Sequence, residues 1–152
     1  MKEYKIIAGE QQKEFNNLKN QILNSKEKII FSSENDELNR KIIEKIKINV
    51  LLLNQKNKKD FSKQRNSGFN QVLAKIAKKN NIILGINLDE IIESEGKTKA
   101  KILSRIKQNI KICNKNKLKM KFIFSEKNKR DIYDLKALGL ILGMPTSMTK
   151  TL

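Results

Sequence analysis

The sequence predicts an α/β fold, a parallel sheet built from alternating βα units. Three observations carry that prediction. Five short runs rich in Ile, Val and Phe recur along the chain, each too short for a helix and without clean alternation, as strands buried on both faces would be. Between them lie segments with apolar residues three and four apart, the spacing of one helix face. Run and helix alternate throughout, the order of consecutive βαβ units.

The first run is Tyr4–Ala8, and Phe15, Leu18 and Ile22 form the helix face after it. The second is Ile29–Ser32. Ser33 with Asp36 has the spacing of a capping box in its looser form, and Leu38, Ile42, Ile43 and Ile46 follow on one face. The third run, Val50–Leu53, leads into a long polar connection from Asn54 to Ser67. Asn66-Ser67-Gly68 then turns the chain, with Ser67 expected as the cap of a helix carrying Phe69, Val72, Leu73, Ile76 and Ala77. The fourth run, Ile82–Ile86, is followed by a short acidic helix, LDEIIESE, and a polar connection from Glu93 to Thr98. Leu103, Ile106, Ile110 and Cys113 mark the next helix, and Lys121–Phe124 is the fifth run. Ile132, Leu135, Leu138 and Leu142 form the last helix, which Gly143 and Met144-Pro145 end. Residues 1–152 read as one domain. Five strands are too few for an eight-stranded α/β barrel, so the sheet is either open or a barrel with units missing.

Charge points to the class of partner. The chain has 33 Lys+Arg against 16 Asp+Glu, a formal net charge of +17. Such a chain repels itself and is stabilised by a polyanion, most commonly nucleic acid. An AT-rich coding bias explains Lys in place of Arg, but not the excess of bases over acids. The single cysteine, Cys113, permits no disulfide within the chain and fits a reducing cytoplasm. MKEYKIIAGE holds no apolar run of signal-peptide length, and no stretch approaches the roughly 20 apolar residues of a membrane span. A soluble cytoplasmic protein with no membrane partner is expected.

Catalytic chemistry finds little support. The chain has no histidine, which removes His-based triads, HExxH zinc sites and His-rich metal clusters. Cys113 lies on an apolar helix face and reads as a core thiol. The carboxyl ends of the strands carry Gly9, Ser32, Ser33, Asn54, Asn87 and Ser125, mostly neutral groups where acid–base or metal chemistry would want carboxylates. Glu10, Glu34, Asp89 and Glu126 stand near helix N-termini, where negative charge is favoured in any case. Asp89, Glu90, Glu93 and Glu95 read as the solvated face of the short helix, ahead of a docking patch for a basic partner or a metal site. Neither common nucleotide-binding glycine fingerprint is present. No catalytic residue, metal ligand or cofactor is expected in this chain.

Two segments concentrate positive charge. Gln55–Arg65 carries Lys56, Lys58, Lys59, Lys63 and Arg65 against the single acid Asp60. Lys97–Lys121 carries Lys97, Lys101, Arg105, Lys111 and Lys115 among further lysines and no acid. On a helical wheel Lys101, Arg105, Lys111 and Lys115 oppose the apolar face, giving a basic stripe about 20 Å long. These cations are expected to contact RNA phosphates. With Phe61 the only aromatic in the basic loop, backbone and shape recognition is favoured over base stacking.

RNSGFNQVLAKIAKKNNIILGINLDEII resembles the signature of the ribonuclease P protein component 3 family, the archaeal counterpart of the thirty-kilodalton eukaryotic subunit. Arg65, Ser67, Gly68, Asn70, Val72, Leu73 and Ala74 carry the match. AKILSRIKQNIKICNKNKLKMKFIFSE and DIYDLKALGLILGM resemble later family segments, in the same order. The resemblance implies a TIM-barrel-like fold of the polymerase-and-histidinol-phosphatase (PHP) type that has lost its metal site, here an incomplete barrel. It also implies a noncatalytic subunit that pairs with protein component 2 and other protein subunits and binds ribonuclease P RNA. That RNA, with its own Mg²⁺, cuts the 5′ leader from precursor tRNA, which the chain would meet only indirectly. The chain departs from the family pattern at Asn66 and Gln71, where Asp and His are familiar, and it is shorter than the family at both ends. Two other readings stay open: an α/β enzyme acting on a phosphorylated small molecule near Ser67 and Gly68, and a general basic RNA-binding module.

Overall fold

In the computed structural model, which describes residues 4–152, the five apolar runs become five parallel strands in the order of the chain. They are β1 (Tyr4–Gly9), β2 (Lys28–Ser33), β3 (Val50–Leu53), β4 (Ile83–Asn87) and β5 (Met120–Ile123). The helices are α1 (Phe15–Leu23), α2 (Asp36–Lys45), α3 (Gln71–Lys79), α4 (Leu88–Glu93), α5 (Gly96–Lys115), α6 (Ile132–Ile141) and α7 (Thr146–Thr149). The expected α/β alternation is borne out. Each strand pairs with the next one in sequence, as in one sector of an α/β barrel.

Alternate side chains separate the two faces of the sheet. Ile29, Phe31, Leu51, Leu53, Leu84, Ile86, Met120 and Phe122 join one core with residues of the helices, among them Leu38, Ile42, Leu73, Ile102 and Ile110. Ile30, Val50, Leu52 and Ile123, with Tyr4 and Ile83 beside them, form a second cluster from strands alone. The Lys121 ammonium reaches from β5 to β1, 4.9 Å from the centre of the Tyr4 ring and 3.4 Å from its hydroxyl. The sheet therefore curls until its edges approach on the concave side, yet among the described residues it does not close. β1 departs from the expectation of a strand buried on both faces. It is an edge strand, with Lys5, Ile6 and Ala8 exposed.

Helix boundaries differ from expectation in informative ways. Asn35, not Ser33, caps α2, its side chain accepting the Leu38 N–H at 3.0 Å, while Ser33 Oγ accepts the Asn35 N–H. Asn70, not Ser67, caps α3 in the same way through Leu73. Val72 sits in the exposed first turn of α3 rather than on its apolar face. Only Ser94 and Glu95 separate α4 from α5, so the expected polar connection to Thr98 is mostly helix. α3, α5 and α6 end alike: Ile82 N–H bonds to Ala77 O, Leu118 to Cys113 and Met144 to Gly139, each after a residue of positive φ, Asn81, Lys117 or Gly143. Gly143 thus stops α6 as expected, and α7 follows it. No described helix is long and apolar enough to cross a membrane.

Candidate nucleic-acid interface

The long connection after β3 is a loop with little regular structure, yet its backbone is held at several points. Gln55 is its keystone. The Gln55 N–H and the Lys56 N–H donate to the two oxygens of Glu90 at 2.8 and 3.2 Å. Gln55 Nε2 donates to Ser67 O at 2.9 Å, and Gln55 O accepts from Arg105 Nη1 at 2.9 Å. Arg105 Nε also donates to Asp60 Oδ1 at 3.0 Å, and that oxygen accepts the Asn66 N–H. One guanidinium from α5 therefore fastens the loop at two points.

This corrects the place given to Arg105. It sits on the flank of α5, 3% exposed, and is spent on the loop rather than presented on the basic stripe. Lys58 is likewise withdrawn: its side chain is 8% exposed and ion-paired with Asp36. Lys121 points into the concave face of the sheet. Lys56, Lys59, Lys63 and Arg65 on the loop, and Lys97, Lys101, Lys111 and Lys115 on α5, are exposed. Among the described residues, no carboxylate pairs with any of these eight side chains. α5 itself contains no acid over its 20 residues. The result is a predominantly positive face about 30 Å long, flanked by a loop that carries more cations; Asp60 feels Lys101 and Glu90 feels Lys56, but neither forms an ion pair with them.

The motif residues hold the turn between loop and helix. Ser67 and Gly68 are buried, and Gly68 has φ +72°. A Cβ there would lie 2.9 Å from Lys58 Nζ and 3.0 Å from Asp36 Oδ1. Gly68→Ala is expected to cost about 1–2 kcal/mol of unfolding free energy, from the left-handed backbone and the displaced ion pair. Denaturant unfolding of the two proteins checks it. The divergent positions also have defined roles: Asn66 Oδ1 accepts the Gly68 N–H, and Gln71 Oε1 accepts from Asn116 Nδ2, tying α3 to the end of α5.

Three of the four acids after β4, Asp89, Glu90 and Glu93, are braces, while Glu95 is exposed. Asp89 accepts from Ser125 N–H, Ser125 Oγ and Asn128 Nδ2. Partial burial works to raise its pKa, but the bonds from Asn128 and Ser125 outweigh it and hold the carboxyl below its ordinary value. Lys127, with help from Asn128, lowers Glu93. Burial raises Glu90, outweighing the backbone donors of Gln55 and Lys56. At the strand ends Asn54 Nδ2 donates to Ser32 Oγ at 3.0 Å, and Asn87 Nδ2 to Asn54 Oδ1 at 2.8 Å. These neutral groups satisfy one another. Among the described residues, no three His, Cys, Asp or Glu gather in a way that could hold a metal ion. Burial pushes the Cys113 thiol up to about 12, as befits a packed side chain.

Sequence reasoning missed Gln55 and the inward role of Arg105, since nothing local ties a loop glutamine to a helix 50 residues later.

No protein-family model matches the chain. It is 33% identical over 92 residues to ribonuclease P protein component 3 of Methanosarcina acetivorans, covering 60% of this chain and 36% of that protein. It is 32% identical over 87 residues to the protein of the same name from Methanosarcina mazei, covering 57% and 34%. The matched part thus spans about a third of these relatives' length. In structure, 97% of the chain superposes on 63% of a chain in the cryo-EM structure of archaeal ribonuclease P with mature tRNA, with a TM-score of 0.77 at 19% identity. That likeness establishes the fold. The resemblance read from the residues is borne out, and the chain is similar in sequence to ribonuclease P protein component 3.

Proposed function

We propose that the chain acts as a noncatalytic protein subunit of ribonuclease P, binding its RNA and supporting RNA-catalysed removal of the 5′ leader from precursor tRNA. The observation that carries this is the row of exposed cations on α5 and the adjoining loop that form no ion pair among the described residues, in a relative of component 3. Lys56, Lys59, Lys63, Arg65, Lys97, Lys101, Lys111 and Lys115 contact phosphates, each neutralised phosphate releasing condensed counterions. Catalysis, with its Mg²⁺, belongs to the RNA. The exposed edge of β1 and the solvent-facing apolar side chains of α6, among them Tyr133 and Ile141, leave room for component 2 and other protein subunits. Precursor tRNA is met through the RNA. In titrations at 0.15 M salt, transcribed ribonuclease P RNA is expected to bind at least tenfold more tightly than an unrelated folded RNA of equal length. Equal affinity for both would favour a general basic RNA-binding module instead.

A further inference from the structure

Two cavities meet on the outer side of α5. One, of about 710 Å³, is lined by Arg65 from the loop, by Lys107, Gln108 and Lys111 from α5, and by Ile141 and Leu142 at the end of α6. The other, of about 320 Å³, is lined by Phe61, Asn66, Asn70 and Gln71 and shares Arg65 and Gln108 with the first. Together they form one groove with Arg65 and Gln108 at its waist.

The chemistry of this groove is uneven. Its first half carries three cations, and among the described residues no carboxylate pairs with them. Ile141, 77% exposed, supplies an apolar side to the same half. In the second half the amide oxygens of Asn66, Asn70 and Gln71 are already bonded, to Gly68 N–H, Leu73 N–H and Asn116 Nδ2. What these side chains still offer is N–H donors. The one acid there, Asp36, is committed to Lys58. Phe61, 57% exposed, stands in this half as an aromatic with a free face, so its placement beside the cations favours base stacking where the scarcity of aromatics in the sequence did not.

We infer that this groove takes a single strand of RNA, with phosphates on Arg65, Lys107 and Lys111 and an unpaired base against Phe61. The assignment rests on the RNA-binding reading above and narrows it to one path across the surface. Cations alone would serve a duplex equally well. An aromatic and an apolar side chain beside them suit a base released from pairing, since an A-form duplex offers its phosphates and ribose hydroxyls but buries its base faces.

The test compares a 12-nucleotide oligouridylate with a 12-base-pair RNA duplex, across a salt series, for the full chain and two variants. The triple variant Arg65→Gln, Lys107→Gln, Lys111→Gln is expected to lower single-strand affinity about tenfold or more and the salt slope by about 2. Phe61→Ala is expected to lower single-strand affinity about tenfold while leaving both the salt slope and duplex affinity unchanged. All four side chains are exposed, so thermal unfolding should match the parent. If the parent binds both RNAs and the variants bind as it does, the groove is wrong while RNA binding stands. If the parent binds no RNA, both readings fall. Unchanged RNA affinity with lost binding of polyglutamate would overturn the inference in favour of an acidic protein segment.

Discussion

Arg105→Ala is expected to destabilise the protein by about 3 kcal/mol, lowering its thermal midpoint by about 6–12 °C for a chain of this size. The side chain is 3% exposed and donates to both Gln55 O and Asp60 Oδ1. Truncation leaves the Gln55 carbonyl without this donor at a buried residue and opens a void between loop and helix. Arg105→Lys keeps a charge but cannot reach both acceptors with a rigid fork, so a partial recovery is expected. Amide exchange localises the effect: the loop from 54 to 70 should lose protection before the sheet does.

The loop's two carboxylate anchors respond to acid with opposite sign. The Asn66 N–H and the Arg105 guanidinium hold Asp60 below its ordinary value of 3.8. A lowered folded-state pKa contributes stability above the unfolded value and loses it as pH falls through the lowered one. The Asp60 anchor therefore persists at pH 5 and weakens only in stronger acid. Burial lifts Glu90 above 4.5. Its contribution is fully present below 4.5 and is lost as pH rises through the raised value. Relative to Glu90→Gln, the parent should therefore lose stability between pH 4 and pH 7, as measured by denaturant unfolding at the two pH values. A difference that stays constant would contradict the burial of that carboxylate.

Reversing Lys101, Lys111 and Lys115 to Glu should weaken binding to ribonuclease P RNA about a hundredfold or more and reduce the salt slope by about 2–3. All three are exposed on α5 and form no ion pair among the described residues. Arg105 is left out because its reversal would unfasten the loop and confuse stability with binding. The same reversal at Lys19, Lys45 and Lys79 removes equal net charge from other exposed positions. It should cost far less and leave the slope close to that of the parent. A slope unchanged by the α5 reversal would remove phosphate contact from that helix.

Much of this was legible in the sequence because the signals are local. Val50–Leu53 is apolar without a break, and in the structure it is the buried third strand with both bounds as read. The spacing of Leu38, Ile42 and Ile43 gave a helix face, and all three are fully buried. Caps were harder. Ser33 and Asn35, or Ser67 and Asn70, are all competent acceptors, and periodicity cannot choose between sites two or three residues apart. The geometry of the incoming strand or loop chose Asn in both cases. Arg105 shows the larger limit. A helical wheel gives its angle on α5, but not that a loop 45 residues earlier in the chain covers that flank. The acids after β4 taught the same lesson, since Asp89 finds its donors at Ser125 and Asn128, on the far side of α5 and β5 in the chain.

The most direct measurement is the identity of the RNA that the chain binds in its own cell. A tagged copy, cross-linked and recovered at moderate salt, should bring down ribonuclease P RNA as the most enriched species, and the α5 reversal should lose it. Recovery of a broad mixture of RNAs in proportion to their abundance, or of no RNA at all, would contradict a role as a ribonuclease P subunit.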